Sequence, residues 1–260
     1  MARRWNPEEE ARYRAELVEL YVRQNMTIRE VGAVLDLADQ TVFRRLKRLG
    51  ISTCPERKPN YLRKRKDVRL PSEYSKELAE FLGIMLGDGH ISKYQTIVTL
   101  GTKELDYVQY VAELMSRLFG VPATIIVEKN GYHDVYIGSI DLTRWLRGHG
   151  LVSNKVRDQV DVPGWITNDP EWMQAFIRGF FDTDGSIYRL RFGCQISLTN
   201  HSLPLLRSLR VMLSKLGYKP SEVSAYRVYL TRRGDVKRFF EEVRPANTKH
   251  TRRFEVISKT

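Results

Sequence analysis

The sequence predicts an α+β protein: a tandem repeat of two half-domains of αββαββα order, preceded by a small all-α domain. Three observations carry this. An apolar run ending in Asp-Gly occurs twice, FLGIMLGDG at 81–89 and IRGFFDTDG at 177–185, placing Asp88 and Asp184 96 positions apart (184 − 88). Each run is followed by the same order of strand-like and helix-like segments. Ahead of both, residues 8–50 carry a helical hydrophobic period. The expected boundaries are 1–51 for the N-terminal domain, 52–74 for a linker, and 75–167 and 168–260 for the two halves.

In the N-terminal domain, Leu17, Val18, Leu20 and Tyr21 mark one amphipathic stretch. TIREVGAVLDLADQTVFRRLKRLGI then spans 27–51. Thr27 with Glu30 three residues on is a capping-box pattern, so a short helix starts there and runs to Leu35. Residues 36–39 make a tight turn, and a second helix runs from about Asp39 to Leu49, closed by Gly50. Two short helices joined by a brief turn form a helix-turn-helix unit, whose second helix enters the DNA major groove. Gln40, Thr41, Arg44 and Arg45 would then lie at the groove. The competing account is a generic helical bundle with a solvated basic face.

The linker, STCPERKPNYLRKRKDVRLPSEY, holds Pro55, Pro59 and Pro71, which disfavour a long helix. From Arg57 to Arg69 it carries seven Lys/Arg and one Asp. Arg63, Lys64, Arg65 and Lys66 could track phosphates without reading sequence; a flexible solvated connector explains the same composition.

In the repeat, SKYQTIVTLG at 92–101 and YRLRFGCQISLT at 188–199 are strand-like. Helical segments follow at 103–120 and 202–217, then strands ending in Val135-Tyr136-Ile137 and Val228-Tyr229-Leu230, then the short helices DLTRWLRGHG and DVKRFFEEV. Between the halves, Asp169 as N-cap and Pro170 at the first helical position start the second motif helix. Over 189–199, Arg189, Arg191, Gln195, Ser197 and Thr199 alternate with Leu190, Phe192, Cys194, Ile196 and Leu198, predicting one core face and one exposed polar face. Lys93, Gln95, Ile97 and Thr99 are the first-half counterparts. Guanidinium, amide and hydroxyl groups on such a face pair with base edges and phosphates, although an ordinary solvated sheet face has the same look.

Composition narrows the partners. The 260 residues hold 43 Lys+Arg against 31 Asp+Glu, a net +12 that favours a polyanion, nucleic acid first. No apolar run is long enough to span a bilayer and no signal-peptide pattern is seen, so the expectation is an intracellular protein, cytoplasmic or nucleoid-associated, with no membrane partner. Cys54 and Cys194 make neither a disulfide framework nor a zinc set, and the five histidines show no zinc spacing.

The Asp-Gly runs hold the chemistry. A helix C-terminus is partially negative, so Asp88 and Asp184 each ask for a cation. Gly83 and Gly87, and Ala175, Gly179 and Thr183, recur at four-residue spacing, which lets two helix backbones approach closely. Two carboxylates held side by side, the arrangement that the resemblance given below implies for Asp88 and Asp184, repel unless cations bind between them. Mg²⁺ suits such oxygens, with Mn²⁺ or Ca²⁺ able to occupy the same place, and the carbonyls of Gly87 and Thr183 are natural extra ligands.

The duplicated motif resembles the LAGLIDADG family of homing endonucleases, over about residues 75–260. The second copy is close to the family pattern; in the first, Leu86 replaces the earlier acid. The resemblance implies that the two helices cross at a pseudo-twofold axis, that Asp88 and Asp184 hold the metal, and that saddle-shaped antiparallel sheets lie along the major groove. It implies a monomer with an internal pseudo-dimer, a long specific duplex target, and strand hydrolysis leaving short 3′ overhangs. The stretch at 151–166 resembles the segment that closes the first half in family members, which matches Lys155 to a lysine near the scissile phosphate; Lys249 is its counterpart. Gln195 would orient water. Alternatives remain: family members that have lost cleavage act as transcription regulators, and others act as intron RNA maturases, which would make intron RNA a partner. The ends, MARRWNP and VISKT, lack splicing residues, so a free-standing protein of a mobile element is expected rather than an intein fragment.

Overall fold

The structure is a computed structural model, and it describes residues 6–53 and 68–258. The chain divides into two compact units, residues 1–66 and 67–260.

In the first unit, α1 (Pro7–Leu17) continues into a π-helical turn at Val18–Arg23. Two helices follow, α2 (Ile28–Leu35) and α3 (Asp39–Arg48). The Thr27–Glu30 capping box forms, with Thr27 N donating to Glu30 Oε2 at 2.7 Å and Glu30 N to Thr27 Oγ1 at 3.2 Å. The turn between α2 and α3 needs Gly32, where a Cβ would lie 2.6 Å from the Leu37 carbonyl oxygen. Leu17, Tyr21, Val31, Val42, Leu46 and Leu49 form this unit's own buried core.

The second unit is built on two helices, α4 (Lys76–Leu86) and α7 (Pro170–Asp184). Ser75 caps α4, and the Asp169 carboxylate accepts from Glu171 N and Trp172 N to start α7, with Pro170 at its first position. Their backbones touch. A Cβ on Gly83 would lie 2.2 Å from the Phe176 oxygen, and a Cβ on Gly179 2.1 Å from the Glu80 oxygen. The two glycines occupy equivalent places 96 residues apart, so the contact is reciprocal. Small residues at the crossing let apolar neighbours on both helices bury fully; every residue from Leu78 to Leu86 is buried.

Each half hangs a sheet from its helix. In the first, β1 (Gly89–Ile91), β2 (Gln95–Leu100), β3 (Thr124–Val127) and β4 (His133–Gly138) form an antiparallel sheet of order β1-β2-β4-β3. Helix α5 (Leu105–Phe119) covers one face, ended by Gly120 at φ 68°, and α6 (Ile140–Gly148) closes the half. In the second, β5 (Gly185–Leu190), β6 (Gly193–Thr199) and β7 (Arg227–Leu230) give the order β5-β6-β7, with α8 (Leu203–Lys215), α9 (Arg233–Glu242) and α10 (Thr248–Ser258) around them. One hydrophobic core runs through both halves. This is the α+β tandem architecture the repeat predicts.

Two details differ from expectation. The first half follows αββαββα, but among the described residues the second has one named strand where the first has β3 and β4. Ser221 N still donates to the Tyr229 oxygen and Ser224 pairs with Arg227, so the chain runs beside β7 without a continuous ladder. Pro220, lacking an N–H, precedes that stretch. The second difference is at 188–199, which is a hairpin rather than one strand. The chain reverses at Arg191-Phe192, and the register pairs Arg189 with Cys194 and Tyr188 with Gln195. A two-residue turn reverses the parity, so Arg189 shares a face with Cys194 and Ile196, opposite Gln195, Ser197 and Thr199. Leu190 and Phe192, expected in the core, are 40% and 88% exposed at the hairpin tip. Ser197, expected exposed, is fully buried. Among the described residues no helix is long and apolar enough to cross a membrane.

Candidate active site

The close helix crossing delivers both Asp-Gly motifs to one place. A Cβ on Gly87 would lie 2.0 Å from Thr183 Oγ1 and 3.5 Å from Asp184 Cγ. The residue preceding Asp88 therefore abuts the residues that end α7. Asp184 is half-buried there, and its pKa is pushed up to about 6, first by burial and then by the charge of Asp88. The Asn200 amide opposes the shift, donating from Nδ2 to Asp184 Oδ2 at 2.9 Å, as do Lys155 and Lys249. Asp88 is exposed as a residue, yet desolvation of its carboxyl group is the largest cause of a raised pKa, opposed by Lys249 and Lys155 and reinforced by Glu104.

Lys155 comes from the segment after α6, held by buried Leu151 and Val160 on either side. Its ammonium donates to three main-chain carbonyls at the end of α4: Met85 at 3.2 Å, Gly89 at 2.8 Å, and Gly87 in the tightest contact. A cation at a helix C-terminus meets the partial negative charge there. Burial lowers the Lys155 pKa, and Asp184 and Asp88 oppose that shift.

Lys249 arrives by a different route, in the first turn of α10. The buried carboxylate of Asp182 accepts from Ala246 N at 2.9 Å and Asn247 N at 3.1 Å, while Asn247 Nδ2 donates to the Asp182 carbonyl at 3.1 Å. Burial pushes the Asp182 carboxyl up to about 8 against those two hydrogen bonds. Lys249 Nζ pairs with Glu104 Oε1 at 2.7 Å. The first-half equivalent of Asp182 is Leu86, a buried apolar residue. The two halves thus install their lysines differently: Lys155 by direct bonds to a helix end, Lys249 through Asp182. Farther along the crossing, buried Glu80 binds Arg178 and Tyr110.

The structure brings Asp88, Asp184, Gly87, Thr183, Lys155 and Lys249 together. Thr183 Oγ1 is engaged with its own helix, donating to the Gly179 and Phe180 oxygens. Gln195 stands apart on β6, half-buried and opposite Tyr188. Sequence reasoning missed Asn200, Glu104 and Asp182 as parts of this cluster. Only Asp182 left a signal, as the first acid of the D-x-D-G ending.

Among the described residues no three His, Cys, Asp or Glu side chains gather as a ligand set. The donors present are two carboxylates and main-chain oxygens. Those suit a hard divalent ion, which is held by one or two carboxylates and completes its shell with water or phosphate oxygens.

The candidate nucleic-acid-contacting residues are distributed as follows. Gln95, Ile97 and Thr99 share the face of the first sheet that α5 does not cover, with Thr99 Oγ1 donating to Asp134 Oδ1 at 2.7 Å. Lys93 lies in the β1–β2 turn over the Tyr94 ring. Gln195 and Thr199 line the corresponding face of the second sheet, joined there by Arg227 and Tyr229, whereas Ser197, in the same register, is fully buried and withdrawn from contact. Arg191 lies over Phe192 at the hairpin tip. On α3, Gln40 and Arg44 are exposed and Thr41 is half-buried, whereas the Arg45 guanidinium sits 4.3 Å from the centre of the Tyr13 ring. Arg63, Lys64, Arg65 and Lys66 lie outside the described residues.

A family model matches the two halves separately. The LAGLIDADG-like domain family matches twice, over residues 75–150 and 171–244. Among curated relatives, the replication factor C small subunit of Methanocaldococcus jannaschii is 30% identical over 148 residues, 56% of this chain and 7% of that protein. The chain spans less than a fifth of the length of this relative and of four other curated relatives with similar sequence, between 7% and 18%. Among solved structures, the homing endonuclease I-DmoI in complex with DNA and Mn is similar at TM-score 0.48 and 19% identity, covering 65% of this chain and 96% of that one. The N-terminal LAGLIDADG domain of DUF199/WhiA is similar at TM-score 0.46 and 19% identity, covering 65% and 82%.

Proposed function

The chain belongs to the LAGLIDADG-like family, and from that premise we propose that it is a divalent-metal-dependent endonuclease of duplex DNA, working as a monomer with an internal pseudo-dimer. The observation that supports this most is the meeting of Asp88 and Asp184 at the crossing of α4 and α7, with Gly87 against Thr183 and Asp184. Structural turns alone would not need two desolvated carboxylates within each other's field.

In this reading Asp88 and Asp184 hold the ions, with the Gly87 and Thr183 carbonyls nearby. Bound there, Mg²⁺ supplies Lewis-acid polarisation of a phosphodiester and offsets the charge that develops on its oxygens. Asn200 fixes the orientation of the Asp184 carboxylate. Lys155 and Lys249 place two ammonium groups beside the carboxylates, where a backbone phosphate would be held and its extra charge stabilised. The uncovered sheet faces, with Gln95, Thr99, Gln195, Thr199 and Arg227, read groove edges, each half taking a different half-site. Helix α3 of the first unit, through Gln40, Thr41 and Arg44, adds a further duplex contact, and the basic residues 57–69 add affinity without sequence preference.

A second reading, a DNA-binding protein that does not cut, is favoured by one observation: Lys155 already occupies the Gly87 carbonyl. A cleavage selection on a randomised duplex library with Mg²⁺ separates the two. Wild type is expected to enrich a long, asymmetric cut site, and Asp88→Asn and Asp184→Asn each to lower cleavage by more than about a hundredfold, the upper range for losing an outer-shell partner of a metal ligand. Tight binding by wild type with no cut product would leave the non-cutting reading.

A further inference from the structure

Lys155 and Lys249 have a second consequence for the acid cluster. Two carboxylates, Asp88 and Asp184, share the site with two ammonium groups, and a third, Glu104, pairs with Lys249 beside it. Lys155 has three N–H donors, and all three are spent on carbonyls of Met85, Gly87 and Gly89. That is how a bound cation is treated: oxygens of one helix end converge on a single positive centre. Lys249 neutralises Glu104 directly at 2.7 Å, and it is the largest electrostatic influence on Asp88. A divalent ion approaching Asp88 and Asp184 therefore meets two resident positive charges, one already holding the main-chain oxygen it would use.

We propose that Lys155 and Lys249 are built-in counter-cations that antagonise divalent-ion binding in the DNA-free protein. The inference rests on the metal-binding reading of Asp88 and Asp184 but not on cleavage. Two effects push in the same direction. Coulomb repulsion between an ammonium and a divalent ion in one cluster is unfavourable at any realistic interior dielectric. The Gly87 carbonyl must also lose Lys155 before it can face an ion. The same lysines offset the charge of Asp88 and Asp184 at the helix junction, and Lys249 pairs with Glu104 beside it.

The test is calcium titration of the full chain, without DNA, by isothermal calorimetry, with thermal unfolding followed in parallel. Wild type is expected to bind Ca²⁺ weakly. Lys155→Met is expected to bind it about tenfold tighter or more, the scale of removing one unit charge from a site of this kind. Its unfolding midpoint without calcium should fall, because three carbonyls lose their donor. Lys249→Gln, at an ion pair whose lysine is 39% exposed, keeps α10 capped by Asn247 and Asp182 and should tighten calcium in the same direction; it decides the matter if Lys155→Met does not fold. Adding Asp184→Asn to either variant should remove the gain. Equal or weaker calcium binding by the lysine variants overturns the proposal, as does a gain that survives Asp184→Asn. A protein that cuts DNA while its lysine variants bind calcium no better loses this inference alone. One whose variants gain calcium affinity while the chain never cuts loses only the nuclease reading.

Discussion

His250 shows what a single buried side chain contributes around the site. It is 3% exposed on α10, its ring 4.4 Å from that of Phe181, with Nε2 3.4 Å from the Asp182 carbonyl. Burial, and after it the charge of Lys249, lowers its pKa to about 3. The imidazole is therefore neutral in the folded protein from neutral pH down to that value, while in the unfolded chain it takes a proton below about 6.5. The unfolded state binds more protons in that window, so stability is lost as pH falls from about 6.5 toward 3, by at most about 1.4 kcal/mol per pH unit from this group. Asp182 and Asp184, with raised pKa values, shift stability the opposite way over part of the same range. The clean measurement is thus a difference. The stability advantage of wild type over His250→Asn, from urea unfolding, should be constant above pH 7 and shrink steadily below 6.5. A constant advantage down to pH 4 would mean that His250 protonates freely in place. None of this was legible in the sequence, where His250 is one of five histidines without a motif. Asn200 and Glu104 were equally silent, since each enters the cluster from an element boundary far from the Asp-Gly runs. Asp88 and Asp184 were legible because a helix ending on an acid violates the ordinary charge preference of its terminus.

At the scale of elements, the pattern of small residues was the most informative signal, because it encodes a distance. Gly83 and Gly179 lie where a Cβ would come within 2.2 and 2.1 Å of the facing backbone, and Gly87 where one would come within 2.0 Å of Thr183 Oγ1. Relief at Gly179 requires moving the Glu80–Ile84 turn of α4, not rotating a side chain. Gly179→Ala is therefore expected to cost at least about 3 kcal/mol by overpacking. Gly148, at the end of α6, faces open space; Gly148→Ala should be neutral or stabilising by up to about 1 kcal/mol. Thermal or denaturant unfolding of the pair checks both, and equal effects at the two positions would refute the tight crossing. The helix ends read from capping patterns, at Thr27 and Asp169, rest on contacts only a few residues apart and were legible for that reason. The β5–β6 hairpin was not. Its turn, Arg191-Phe192, continues the alternation of polar and apolar residues, so the period alone runs through the reversal. Gly193, at φ 116°, was the one local sign of a turn. The lack, among the described residues, of a second continuous strand beside β7 on the side away from β6 was hidden similarly, because the Val228-Tyr229-Leu230 triplet reports its own strand and not its neighbour's regularity.

Across the whole molecule, charge is distributed unevenly between the two units. Residues 1–66 hold 16 Lys/Arg against 9 Asp/Glu, a net +7, so a quarter of the chain carries more than half of the total +12. Residues 67–260 carry the remaining +5 on a much larger surface, and part of that charge is committed internally, as with Lys155, Lys249 and Arg178. The first unit has its own core of Leu17, Tyr21, Val31, Val42, Leu46 and Leu49, and none of these residues belongs to the core of the second. Residues 67–260 should therefore fold alone, with an unfolding transition close to that of the full chain. If the proposed duplex contacts of α3 and the basic stretch hold, the shorter chain should bind duplex DNA more weakly at every sequence tested. The diagnostic quantity is the salt dependence rather than the affinity. Each phosphate neutralised contributes about −0.9 to the slope of log binding constant against log salt concentration. Losing phosphate contacts made by residues 1–66 should flatten that slope by several such increments, while any preference among duplex sequences set by the two sheets is kept. Fluorescence anisotropy over a salt series measures both quantities for the full chain and for residues 67–260. An unchanged slope would assign the first unit a role other than holding the DNA backbone, whatever its charge.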